Sequence, residues 1–151
     1  RALGRRRAMR HSHNNERGAA LVEAAVTIPI LLLIAVGIFE FGRAYQTWQV
    51  LTNAAREGAR YAVTPSSTTE NTVAIVRDYM RGGGLPDWET AAVNVTTDVP
   101  MNPGTGTRVT IRYPFSFIVL QPVARLVVPA SRAGEAITMS ATALMRNEAG
   151  S

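Results

Sequence analysis

From Ala19 to Phe39 the chain runs 21 residues with a single charged side chain, Glu23. As a helix rising 1.5 Å per residue this stretch is about 30 Å long, the thickness of a bilayer's hydrocarbon core. Apolar residues fall on all of its faces, whereas a helix buried in a soluble core carries one apolar stripe. Pro29 and Gly37 weaken a soluble helix but are common in membrane helices. The segment therefore reads as a transmembrane helix, and whatever else the chain does must be arranged around it.

The charge distribution agrees. The formal net charge is +5, which taken whole suggests a nucleic-acid binder. Residues 1–18, however, carry six arginines and one acid, while residues 19–151 balance ten arginines against ten acids. All the excess lies on a basic, polar tail, which reads as a disordered leader and not as a nucleic-acid footprint. Arginines before the span orient the N-terminus to the cytoplasm and the C-terminus outside.

Beyond the apolar run the helical pattern continues as residues 40–63. Phe41, Tyr45, Trp48, Leu51, Ala55, Ala59 and Ala62 recur at three- and four-residue steps. Tyr45 and Trp48 fall where aromatics anchor at a membrane interface. Glu40 with Arg43, and Glu57 with Arg60, read as surface i,i+3 pairs worth tenths of a kcal/mol. Ala54, Ala55, Gly58, Ala59 and Ala62 form a small-residue stripe that lets another backbone approach. It suits either the chain's own C-terminal domain or another subunit. The helix is expected to stop near Val63, before Pro65.

Residues 64–151 read as a small α+β domain. Thr68 or Thr69 caps a short helix over about 70–81, with Val73, Val76 and Met80 inward, Tyr79 beside them, and Gly82-Gly83-Gly84 ending it. Three alternating segments follow, through Val93–Val99, Arg108–Tyr113 and Ile137–Met145, the first two joined by a hairpin loop. Three strands with one apolar face need a cover, which the two helices supply. Phe115 to Pro129 is strongly apolar with Pro122 in its middle. It is either a buried crossover or an exposed apolar surface for a membrane or partner.

Chemistry is sparse. The chain has no cysteine, and its only histidines, His11 and His13, lie in the tail. That leaves no thiolate or metal site and no nucleophile set, and the triple glycine lacks the Lys-Ser/Thr of a phosphate-binding loop. No catalytic residue, cofactor or metal is expected. The informative residue is Glu23, since a carboxylate inside an apolar span costs a few kcal/mol and marks a functional site. It is the fifth residue after Gly18. A cut after Gly18 would give Ala19 a new ammonium group on the same helix face as Glu23, and so create the partner the carboxylate lacks.

Gly18-Ala19-Ala20-Leu21-Val22-Glu23, between a basic tail and an apolar helix, resembles the prepilin signal of type IV pilin-like proteins. The wider run is similar to the TadE-like family: ArgGlyAlaAlaLeuValGluAla from Arg17, IlePro at Ile28, PheGluPheGlyArgAla from Phe39, and AsnAlaAlaArgGluGlyAlaArgTyrAla from Asn53. TyrProPhe at Tyr113 and AlaLeuMetArgAsnGlu from Ala143 also look like that family's C-terminal end. The resemblance implies a pilin-like α+β fold, with a long N-terminal helix, transmembrane then amphipathic, packed on a three-stranded antiparallel sheet with a short helix. It implies a non-enzymatic minor pilin or pseudopilin of a bacterial Tad/Flp pilus, acting in adhesion or surface colonisation. It implies cleavage between Gly18 and Ala19 by a prepilin peptidase, with Glu23 serving processing and assembly and Ala55, Gly58, Ala59 and Ala62 as helix-packing positions. The implied partners are that peptidase, other pilin subunits, the assembly platform and membrane lipid, with no nucleic acid. The implied location is the cytoplasmic membrane, C-terminal domain outside. Three rival expectations share parts of the pattern: an unprocessed single-pass anchor carrying a binding domain, a secreted protein cut near Ala35–Gly37, and a twin-arginine export substrate read from Arg5-Arg6-Arg7.

Overall fold

Once a helix is nucleated, each further residue adds a hydrogen bond for one pair of dihedrals, so a run without a stop signal propagates. In the computed structural model, which describes residues 12–127, 130 and 132–147, the first helix α1 spans Ser12–Ala62, 51 residues through Pro29. Its end agrees with expectation to within a residue. Its start does not. The tail expected to be disordered is helical from Ser12, because nothing between Ser12 and Gly18 stops propagation. Arg5, Arg6, Arg7 and His11 lie outside the described residues. After Ala62 the chain turns at Thr64, whose amide donates to the Tyr61 carbonyl, and the Ser67 hydroxyl donates to the Ala62 carbonyl. These bonds satisfy carbonyls that a helix end leaves open.

Helix α2 spans Thr69–Gly82. Thr68 is its N-cap, its hydroxyl accepting from the Asn71 amide at 3.1 Å. The buried column is Thr72, Val76 and Met80: Val76 and Met80 face inward as expected, Thr72 takes the place expected of Val73, which is only half-buried, and Tyr79 is exposed. Thr72 escapes a polarity-based reading because its hydroxyl donates back to the Thr68 carbonyl, leaving the methyl for the core.

A short 3₁₀ turn, Trp88–Thr90, leads into β1 (Ala92–Pro100), then β2 (Thr105–Phe115). Helix α3 (Leu120–Val127) precedes β3 (Ile137–Arg146). The strands form one antiparallel sheet in the order β1-β2-β3. Central β2 buries Thr107, Val109, Ile111, Tyr113 and Phe115 in strict alternation. In β1 the alternation fails at Thr97. A bulge between Thr96 and Val99 sets Thr97 and Asp98 against Thr107 alone, so Thr97 is exposed. Ile137, at the start of β3, is also largely exposed.

The apolar face of the sheet packs on the upper part of α1 and on α2. Leu51, Ala54, Ala55, Ala59, Val76, Met80, Val109 and Ile111 are fully buried there. The α+β architecture is thus the one expected from the sequence. Phe115–Pro129 proves to be neither alternative as a whole. Phe115 is core, Phe117 packs edge-on against it at 5.1 Å, Ile118 is exposed, and α3 follows. Val128 and Pro129 lie outside the described residues.

Candidate functional site

The lower half of α1 has almost no cover. Across 19–39 no residue is buried, and most of its large apolar side chains stand more than half exposed, with Leu33 and Val36 partly covered. The helix is long and apolar enough to cross a membrane, and among the described residues it is the one such helix. Burying these side chains in lipid is worth roughly 1.5–3 kcal/mol each relative to water. Such a surface is stable only where something apolar surrounds it.

At the N-terminal edge of this surface Gly18 and Ala19 are exposed residues within the helix, and a side chain added at Gly18 meets nothing within 4 Å. The fold therefore makes no steric demand for glycine there. Glycine inside a helix costs about 1 kcal/mol relative to alanine, so the position is a weak point in an otherwise strong helix. Glu23 is exposed one turn beyond Ala19 and has no hydrogen-bond or ion-pair partner among the described residues.

The small-residue stripe has a partner within the chain. Ala54, Ala55 and Ala59 have no exposed surface, and Ala62 packs at the margin of the same core. A Cβ built on Gly58 lies 2.4 Å from Val76 Cγ2 and 3.5 Å from Val109 Cγ1. Gly58 is thus the point where α1, α2 and β2 meet, and the stripe is closed to other subunits by the chain's own domain.

Between these halves lies Glu40, which sequence reasoning treats as half of a surface ion pair. It is fully buried. One carboxylate oxygen accepts the backbone amides of Ile118 and Val119 at 2.8 and 2.5 Å, and the other accepts from Arg43 Nη1 at 2.7 Å. Val119 opens α3, its carbonyl receiving the Val123 amide, so the carboxylate sits at the positive end of that helix. Burial alone would raise the Glu40 pKa, but the two amides and the Arg43 guanidinium together outweigh it and hold the group below its ordinary value. Arg43 itself lies over the Phe115 ring, 5.3 Å from its centre. The sequence signal was a charge directly after an apolar run, within PheGluPheGlyArgAla. What it could not name was a partner 78 residues away.

Elsewhere the side-chain chemistry is structural. The Tyr113 hydroxyl donates to the Pro86 carbonyl, and its pKa is raised by burial and by nearby Asp87. No group of three acidic or histidine side chains able to hold a metal occurs among the described residues.

The helix just described carries the likeness to known proteins. The family model for TadE-like protein matches residues 18–60. The match opens on Gly18 and covers the apolar half, Glu40 and most of the small-residue stripe, while α2, the sheet and α3 lie outside it. Over this segment the chain is similar to TadE-like proteins. No curated protein and no solved structure matches the chain.

Proposed function

We propose that this chain is a minor pilin or pseudopilin of a Tad/Flp-type pilus, with a structural and not an enzymatic role. A prepilin peptidase cuts between Gly18 and Ala19, removing the basic leader on the cytoplasmic side. The mature protein waits in the membrane and joins other pilin subunits through the apolar half of α1, with its α+β domain outside. Within a bundle of such helices the Ala19 ammonium and Glu23 pair out of contact with water and set axial register.

One observation carries the reading: an apolar helix with no buried residue from 19 to 39, whose carboxylate Glu23 has no partner among the described residues and lies five residues beyond an exposed glycine that the fold does not need. The family match beginning at Gly18 supports the same boundary. Lipid alone accounts for the apolar surface, but it leaves Glu23 without a partner.

The deciding experiment is the N-terminal residue of the membrane-bound protein. Ala19 is the expected result. An intact tail would make the chain a plain membrane anchor for an outside binding domain, and a start near Ile38 would make it an ordinary secreted protein. Because the structure leaves open space at Gly18, Gly18→Leu should fold normally and accumulate as an uncut precursor. A mature form starting at Ala19 in that variant contradicts the assigned signal.

A further inference from the structure

The exposed aromatics Phe41, Tyr45 and Trp48 lie on one face of α1, above the apolar span, and Tyr45 and Trp48 pack at 6.1 Å between ring centres. Aromatics of this kind sit at the headgroup level of a bilayer. Trp48 is eight residues beyond Glu40, or about 12 Å along the axis. Helix side chains also tilt toward the N-terminus, here toward the span. The Glu40 carboxylate, and the Ile118 and Val119 amides bound to it, therefore lie level with Phe41, below Tyr45 and Trp48 and beside the last apolar residues. At that depth unpaired backbone amides cost several kcal/mol, and Glu40 satisfies two of them. Ile118, held at this level, is 62% exposed. Helix α3, amphipathic by sequence, buries Ala124 and leaves Arg125 exposed, as an interfacial helix does when its arginine reaches the headgroups.

We infer that the turn at Ile118 and helix α3 form a foot that rests in the outer leaflet of the membrane crossed by α1, with Glu40 as its attachment point. The occupant of this surface is the headgroup–acyl boundary of the bilayer. The foot fixes the height and rotation of the domain over the membrane before any subunit joins it. The inference rests on α1 spanning the bilayer.

The chain has no cysteine, so single-cysteine labelling is clean. Full-length Ile118→Cys, Leu31→Cys and Asn94→Cys variants, each carrying a small fluorophore, are reconstituted in phosphatidylcholine–phosphatidylglycerol vesicles. Lipids with a nitroxide near the headgroup, for Ile118 and Asn94, or deep in the acyl chain, for Leu31, then quench from the membrane, and iodide quenches from water. Asn94 is exposed on the sheet, and Leu31 is in the middle of the span. The expected result is lipid quenching at Ile118 about twofold or more above Asn94, with iodide quenching correspondingly lower. Quenching at Ile118 equal to that at Asn94 overturns the foot. So does protection of Ile118 from both quenchers, which would mean a protein partner covers it. An unquenched Leu31 overturns the spanning reading itself, whereas a quenched Leu31 beside an unquenched Ile118 overturns the foot alone.

Discussion

The two halves of α1 are one continuous helix in two different surroundings. From 19 to 39 it is apolar on every face and buries no residue against its own chain. From 40 to 62 it exposes Phe41, Tyr45 and Trp48 among polar residues on its outer side, and buries Leu51, alanines and a glycine against α2 and the sheet. Along 19–39 the apolar side chains face contacts supplied from outside, whereas at Ala54, Ala55, Gly58 and Ala59 small side chains let the chain's own domain close in.

The comparison breaks most sharply when the same substitution is made in each half. Gly58→Leu forces four carbons into a space already closed at Cβ, and should cost about 3 kcal/mol or more. A Cβ built on Gly37 meets nothing within 4 Å, and Gly37→Leu should leave the domain's thermal unfolding in detergent unchanged. Equal losses for the two would refute the division of α1 into a closed and an open half.

Next comes the carboxylate in each half. Glu40→Ala leaves two amides and Arg43 without their acceptor and should destabilise the α3 attachment by about 2–4 kcal/mol. Hydrogen exchange at Ile118 and Val119 reads it directly. Glu23→Ala should leave domain stability and membrane insertion intact and impair only pilus assembly. Normal pili in that variant would argue against the register role.

Acid should give a smaller, graded version of the Glu40 effect. The folded pKa of Glu40 lies below its unfolded value, so its contribution is complete above the unfolded value and is lost as pH falls through the folded one. Exchange at Ile118 and Val119 should therefore quicken relative to Val109 below about pH 4. The smallest effect is expected for Arg60→Ala. The Arg60–Glu57 pair lies on the exposed face of the upper half, and its removal should not change the unfolding temperature.

Much of this was readable before any fold was known. The apolar run, the helix end before Pro65, the Thr68 cap and the alternation of β2 are local, and each is written in a few consecutive residues. The reading failed where a residue's meaning depends on distant chain. Thr97 looked inward until the bulge turned it out. Glu40 looked like half of a surface pair, with the same i,i+3 spacing as Glu57–Arg60, yet one pair anchors the domain and the other is solvated.

Sequence by itself determined the long helix, its apolar half and the composition of the sheet, because hydrophobic period and length act through neighbouring residues. Only the tertiary structure decided that the small-residue stripe is closed by the chain's own domain, that α3 exists, and that Glu40 holds it. Those outcomes rest on contacts between residues far apart in the chain. A period reports that one face is apolar, or that one charge is out of place, without naming what will come to meet it.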